Sequence, residues 1–191
     1  VVTAINLLIQ AETEEGDGVL IQEPVYYPFG NSIRTQKRQV ISSPLVLRDG
    51  RYEIDFADFE RKAADPMCRA FVLSNPHNPV GRVYTREELQ RMGDICLKHN
   101  VFVIADEIHS DLIFPGHHHT VFASLGEAYA KNCAVCHAPS KTFNLAGLSF
   151  SCIMIPDEMH RQRFDAMFNR YCRANPTFCA PVPDKAATSM L

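Results

Sequence analysis

Short, mainly apolar runs recur along the chain, separated by longer stretches in which apolar and polar residues alternate. Runs of this kind are typical of strands that are buried on both faces of a sheet. The runs are residues 19–21, 40–41, 70–73, 101–105, 134–136 and 150–155. The pattern therefore predicts about six short strands.

Other stretches carry apolar residues at the three-to-four-residue spacing of one helical face. The first covers residues 2–11. A second follows Thr85, which has Glu88 three residues later and so matches the capping box that starts many helices. A third follows Pro156-Asp157. We predict a helix in each of these stretches.

Turn-forming residues divide the segments that remain. The stretch 24–28, with proline at both ends, is expected to break regular structure, and residues 33–39 are expected to start as a helix. Asp49-Gly50 is a turn signal, and Asp55 can cap a short helix.

Predicted strands and helices alternate, as they do where right-handed helical crossovers join parallel strands. We therefore predict an α/β fold with three αβα layers and a mainly parallel sheet. A chain of 191 residues can form one such domain with a real core, so the domain is expected to cover residues 1–191. Both ends are expected to be truncated, because no strand precedes the first helix and the proline-rich stretch beyond Asn175-Pro176 contains no closing element.

Charge and hydropathy narrow the class of protein. Nineteen Lys and Arg residues against 22 Asp and Glu residues give a net charge of -3, without the basic stripe of a nucleic-acid surface. No apolar run approaches the roughly 20 residues of a membrane span, and the chain, which begins at Val1, shows no charged-then-apolar leader. We expect a soluble, cytoplasmic protein that binds neither nucleic acid nor membrane.

Cysteines and histidines form two motifs that resemble redox or metal sites. Seven cysteines, an odd number, lie mostly in apolar segments, which favours buried reduced thiols over a disulfide framework. Cys133 and Cys136 have zinc-type spacing, but on a predicted strand they are expected to be ordinary buried thiols. The run from His117 to His119 is expected to be a polar loop, and no metal site is predicted.

Polar residues suited to catalysis lie at or after the ends of predicted strands. Asn78 lies in an Asn-Pro-His-Asn-Pro loop, Asp106 ends a strand, and Lys141 shortly follows another. Parallel sheets build their sites where the carboxyl ends of strands meet, so we expect these side chains to converge. A lysine amine placed there can hold an aldehyde cofactor as a Schiff base. Lys141 is therefore the candidate catalytic residue.

Segments around these residues carry a resemblance to a known family. They are Pro24-Val25-Tyr26-Tyr27-Pro28-Phe29, Pro76-His77-Asn78-Pro79-Val80-Gly81-Arg82-Val83, Asp106-Glu107-Ile108-His109-Ser110-Asp111 and Ser140-Lys141-Thr142-Phe143-Asn144. Through them, nearly the whole chain resembles the large domain of fold-type I, pyridoxal-phosphate-dependent enzymes of the aminotransferase class I/II superfamily. The likeness is greatest to the cystathionine β-lyase-like carbon–sulfur lyases of the MalY/PatB group. The resemblance implies a large cofactor-binding domain, without its N-terminal segment and small C-terminal domain, that binds pyridoxal 5′-phosphate.

The resemblance also implies a role for each matching residue. Lys141 would form the Schiff base with the cofactor and then remove the substrate's Cα proton. Asp106 would pair with the pyridine nitrogen and keep it protonated. Asn78 and His109 would contact the cofactor's phenolic oxygen.

Tyr26 would stack on the cofactor ring, a role for which Tyr27 is the competitor, and Ser140 would reach the phosphate. The family often carries a hydroxyl residue where this chain has Ala138. The phosphate would therefore depend more on Ser140 and on backbone amides at the start of the first helix.

Ordinary structural roles remain open at several of these positions. Asp106 can cap the segment that follows it, and Asn78 can serve the Asn-Pro turn. Tyr26 can pack in the core, and His109 can be a hydrogen-bonding residue without contact to a cofactor.

The residues at two positions bear on which reaction the resemblance implies. Relatives that transfer amino groups usually carry Tyr where this chain has His109 and Arg where it has Ser149, and both choices resemble the lyases. The implied reaction is α,β-elimination from a cysteine S-conjugate such as cystathionine, giving a thiol, pyruvate and ammonia. An aminotransferase and a non-catalytic or regulatory module of this fold are the alternatives. The family further implies a homodimer for the full-length protein.

Overall fold

The computed structural model describes residues 1–172. Its helices are α1 (Val2–Glu12), α2 (Pro28–Thr35), α3 (Phe56–Ala63), α4 (Arg86–Lys98), α5 (Glu127–Lys131) and α6 (Glu158–Cys172). Its strands are β1 (Gly18–Ile21), β2 (Gln39–Ser42), β3 (Val46–Arg48), β4 (Arg51–Glu53), β5 (Cys68–Ser74), β6 (Phe102–Asp106), β7 (Cys133–His137) and β8 (Cys152–Met154). Short 3-10 turns cover Phe122–Leu125 and Ala146–Leu148.

Six of these strands form one sheet in the order β2-β1-β5-β6-β7-β8. Neighbouring strands are parallel from β2 through β7, and β8 pairs antiparallel with β7. The remaining strands, β3 and β4, form a separate antiparallel hairpin. The predicted mainly parallel α/β sheet is confirmed. That the chain forms one domain over residues 1–191 stays a prediction, and the proline-rich stretch beyond Asn175 lies outside the described residues.

The core consists of two apolar clusters, one on each face of the sheet. Because side chains alternate along a strand, Phe71 and Leu73 of β5 enter the cluster that contains α3 and α4. Ala70 and Val72 of the same strand enter the cluster that contains α1 and α2. The central strands β1, β5, β6 and β7 are therefore largely buried on both faces, which explains their apolar runs and confirms the three layers.

Three of the predicted helix starts are confirmed by their caps. Thr85 Oγ1 accepts a hydrogen bond from Glu88 N, and the Glu88 carboxylate accepts one from Thr85 N, which completes the capping box of α4. Asp55 Oδ1 accepts hydrogen bonds from Ala57 N and Asp58 N in the first turn of α3. Asp157 does the same for Met159 and His160 at the start of α6.

The prediction for residues 33–39 was wrong in its bounds. Helix α2 begins at Pro28, because proline suits the first helical position, where its missing N–H needs no partner. The turn at Asp49-Gly50 is confirmed and connects β3 to β4, with φ angles of 47° and 78°. Neither β3 nor β4 was predicted, since three residues are too few to show a strand's alternation.

The described cysteines behave as the sequence predicted. Cys68, Cys96, Cys133 and Cys136 are buried and free, while Cys152 is exposed and free. Burial raises the pKa of Cys68 and of Cys133 to about 12, so these thiols stay protonated. Among residues 1–172, no helix combines the length and the apolar character that crossing a bilayer requires.

Candidate active site

A cavity of about 490 Å³ lies at the carboxyl ends of the parallel strands. Its lining includes every site residue predicted from the sequence, namely Tyr26, Asn78, Asp106, His109, Ser140 and Lys141. The first residues of the chain, Val1, Val2 and Thr3, also line it, so α1 begins at the cavity wall. The structure thus brings together side chains that are far apart in the sequence, while their chemical roles remain predictions.

Asp106 is the most deeply buried charged group of this cavity. It ends β6 and stands in register with Ser74 of β5 and Cys136 of β7. Its Oδ1 accepts a hydrogen bond of 3.2 Å from Ile108 N. Burial raises the pKa of Asp106 to about 6, although this bond and the Lys141 charge act in the opposite direction. A carboxylate so deeply buried would gain from a cationic partner.

Lys141 and His109 face the cavity from two neighbouring loops. Lys141 lies between β7 and the 3-10 turn at Ala146–Leu148, and the residue as a whole is exposed. His109 is half-buried on the segment that follows β6. Burial and the positive charge of Lys141 lower the pKa of His109. The neutral imidazole is thereby favoured, which can both donate and accept a hydrogen bond.

The two tyrosines that competed for the aromatic position occupy different environments. Tyr26 lines the cavity and packs edge-on against Phe29, with 5.7 Å between ring centroids. Tyr27 is 76% exposed and does not line the cavity. Ser149 does line it, whereas Ala138 is buried elsewhere.

A buried hydrogen-bond network holds the loop that carries Asn78. His77 Nε2 lies 2.9 Å from the Pro24 carbonyl, which can only accept, so this nitrogen carries the proton. Burial lowers the pKa of His77 and keeps the ring neutral, so Nδ1 accepts a bond of 3.0 Å from the Tyr84 hydroxyl. The network ties this loop to the segment that carries Tyr26. No pattern in the sequence predicts this network, although His77 lies inside a matching motif.

Tyr84→Phe is expected to lower the free energy of unfolding by about 1–3 kcal/mol, because it leaves His77 Nδ1 buried without a partner. Urea denaturation measures this loss, and Tyr27→Phe, which removes an exposed hydroxyl, is the matched control. Equal stability of the two variants would show that the buried hydroxyl contributes nothing.

The histidine run was only partly a polar loop. His117 and His118 are exposed as predicted, but the side chain of His119 is 8% exposed. Its Nε2 donates a bond of 2.9 Å to Glu107 Oε2, and Glu107 Oε1 accepts one of 2.8 Å from Phe122 N. Packing between distant segments buries the His119 side chain even though the run is polar. Among residues 1–172, no three metal-ligating side chains lie close enough to hold an ion.

A second cavity, also of about 490 Å³, lies beside the first. Asn78 and His109 line both, so these two side chains form the border between them. The walls of the second cavity include the apolar side chains of Leu112, Ile113 and Phe114. A ligand that extended from one cavity into the other would pass Asn78 and His109.

The three-layer fold, with a lysine, a buried carboxylate and an amide around one cavity, defines the class of fold-type I pyridoxal-phosphate-dependent enzymes. Within that class, the chain belongs to the aminotransferase class I and II family, which matches residues 1–189.

Individual relatives include both lyases and a protein described as an aminotransferase. Cystathionine β-lyase PatB of Bacillus subtilis is 50% identical over 170 residues, which cover 89% of this chain and 44% of that protein. A pyridoxal-phosphate-bound putative aminotransferase from Clostridium difficile is 48% identical, with a TM-score of 0.86 over 89% of this chain and 44% of that one. Cystalysin of Treponema denticola, which contains a pyridoxal 5′-phosphate cofactor, is 40% identical. Its TM-score is 0.88, over 98% of this chain and 46% of that one. The chain thus spans less than half the length of these relatives.

Proposed function

We propose that this chain forms the cofactor-binding part of a pyridoxal-phosphate-dependent carbon–sulfur β-lyase. Its substrates would be cysteine S-conjugates such as cystathionine, cleaved to a thiol, pyruvate and ammonia. The observation that carries the proposal is the convergence of Lys141, Asp106 and Asn78 on one cavity at the carboxyl edge of the sheet. The similarity to the Bacillus subtilis cystathionine β-lyase supports it.

The donor set of the cavity fits this cofactor. Asp106 is buried, with a pKa raised to about 6, and a protonated ring nitrogen would supply a positive partner for such a carboxylate. Lys141 offers an amine for an aldehyde, and Ser140 offers a hydroxyl for a phosphate. The start of α1 at the cavity wall adds the positive end of a helix dipole, which favours a phosphate.

Each remaining group would hold one part of the bound cofactor. Asn78 and neutral His109 would contact its phenolic oxygen, and Tyr26 would pack on the face of its ring. The bound cofactor supplies an electron sink for the charge that develops at the substrate Cα.

Proton movement would centre on Lys141. Once an incoming amino acid displaces its Nζ from the cofactor, this amine would take the proton from the substrate Cα. Asp106 would hold the proton on the ring nitrogen during this step. With a thiol as the leaving group on Cβ, loss of the Cα proton leads to elimination of the thiol.

The alternative is an aminotransferase, and the family match and the Clostridium difficile relative favour it. His109 and Ser149 support the lyase, because amino-transferring relatives usually carry Tyr and Arg at these positions. Ser149 lines the cavity, so the difference falls at the site itself.

The deciding experiment measures pyruvate formation by the full-length protein loaded with pyridoxal phosphate. We expect cystathionine to yield pyruvate without any added 2-oxo acid, and alanine, which has no leaving group on Cβ, to yield none. Conversion that requires a 2-oxo acid acceptor would overturn the lyase in favour of the aminotransferase. A folded protein that binds no cofactor would support the non-catalytic module.

We further propose that the full-length protein is a homodimer. Large apolar side chains on the loops that line the two cavities, including Phe114, Phe143 and Leu148, are exposed. A second subunit covering them would exclude water from the site. Sedimentation of the full-length protein as a monomer at micromolar concentration would contradict this.

A further inference from the structure

The segment 138–151, which carries Lys141, has few attachments to the rest of the fold. Among the described residues, its backbone hydrogen bonds outside the sheet stay within the segment and include those from Phe143 N to Pro139 O and from Leu145 N to Ser140 O. Asn144 and Ser149 have positive φ angles of 55° and 50°. Neither a strand nor an α-helix includes any of its residues, so local structure alone does not fix the position of Lys141.

Apart from the sheet ladder, one hydrogen bond among the described residues joins this segment to a remote one. Thr142 Oγ1 donates to Asp111 Oδ2 at 2.7 Å. Thr142 directly follows Lys141, and Asp111 ends the motif that begins at Asp106 and includes His109. The bond therefore connects the two segments whose side chains meet in the cavity.

The segment that carries Asp111 also meets the end of β7. His137 Nε2 lies 3.8 Å from Asp111 Oδ2, and His137 Nδ1 lies 3.4 Å from Ser110 Oγ. Since His137 is the last residue of a buried strand, its hydrogen bond with Ser110 links the segment that carries Asp111 to the sheet. A carboxylate acceptor makes a stronger hydrogen bond with a hydroxyl than a neutral acceptor does.

We infer that Asp111 and Thr142 form a clasp that positions Lys141 relative to Asp106 and His109. Asp111 is a positioning residue, because it acts on the cavity through Thr142 and does not line the cavity itself. The inference deepens the proposed function and rests on it for the role of Lys141. It predicts that loosening the clasp weakens cofactor capture by letting the amine of Lys141 move away from the ring site.

The first test is hydrogen exchange of the cofactor-free, full-length protein, which needs no catalytic role for Lys141. Thr142→Val and Asp111→Ala are each expected to speed amide exchange in residues 138–151 by roughly three- to tenfold, while β6 and β7 stay protected. Thr142→Ser keeps the hydroxyl and is expected to exchange like the wild type. Asp165→Ala removes an exposed carboxylate on α6 and serves as the matched control. Unchanged exchange in the two clasp variants would overturn the clasp.

The second test measures the apparent dissociation constant of pyridoxal phosphate. The bound cofactor is trapped with borohydride at increasing cofactor concentrations, and the labelled peptide is quantified by mass spectrometry. We expect the dissociation constant to rise roughly three- to tenfold in Thr142→Val and in Asp111→Ala. The double variant should have a dissociation constant no higher than that of either single variant, because both changes break the same bond. Thr142→Ser is expected to restore capture, which a general loss of packing would not explain. Unchanged dissociation constants would overturn the positioning role even if the exchange result held.

A wild-type protein that captures no cofactor would overturn the proposed function, and the exchange result would then decide the clasp alone.

Discussion

Lys141→Ala is expected to abolish covalent capture of pyridoxal phosphate by the full-length protein. The side chain that lines the cavity with a primary amine is then gone, and no other lysine among residues 1–172 lines that cavity. The loss is measured as the disappearance of the absorbance band near roughly 420 nm that a lysine-bound cofactor gives. Borohydride treatment should leave no label on the protein, so the expected effect is complete loss.

Two control variants separate the covalent role of Lys141 from its charge. Lys141→Arg keeps a positive charge near Asp106 and His109 but cannot bond to an aldehyde, so it should also give no label. Lys131→Ala removes an exposed lysine that pairs with Glu127 on α5, and it should capture cofactor like the wild type. A label that persists in both Lys141 variants would contradict the assignment of Lys141.

Asp106→Asn is expected to have opposite effects on stability and on cofactor binding. The carboxyl is buried with a pKa raised to about 6 from 3.8. Between about pH 4 and pH 6 the folded protein keeps a proton that the unfolded chain has released, so stability falls as pH rises through this window. Above pH 6 the buried charge therefore destabilises the cofactor-free fold. Each pKa unit corresponds to about 1.4 kcal/mol, which sets an upper bound of about 3 kcal/mol.

The neutral asparagine removes this penalty and keeps an oxygen that can accept from Ile108 N. The cofactor-free variant should therefore unfold at higher urea concentration than the wild type at pH 8 and lose the stability slope between pH 4 and pH 6. Its affinity for pyridoxal phosphate should fall at least about tenfold, because a neutral amide cannot balance a protonated ring nitrogen.

Denaturation of wild type and variant at pH 4 and pH 8, with and without cofactor, measures both effects. A variant that is less stable than the wild type at pH 8 without cofactor would show that the buried charge is already compensated. Unchanged cofactor affinity would remove Asp106 from the proposed site. The expected pattern is that Asp106 favours cofactor binding while it lowers the stability of the cofactor-free protein.

Residues inside contiguous motifs could be predicted to form the site because their spacing along the chain already places them at strand ends. Asn78, Asp106 and Lys141 each follow an apolar run that the structure shows as β5, β6 or β7. The supporting residues were missed. His77 and Tyr84, or Glu107 and His119, are paired by packing between segments, and neither pair shows a periodic signal in the sequence.

The order and type of the main elements, and the chemical groups available to the site, follow from the amino-acid sequence alone. Apolar runs and capping residues act locally, over a few neighbours, so they can be read without knowing the fold. The folded chain was needed to establish that Tyr26 rather than Tyr27 faces the cavity, that His119 is buried, and that Thr142 donates to Asp111. Those outcomes depend on which distant segments meet and on how much water their contact excludes, and neither quantity is encoded in any single stretch of the chain.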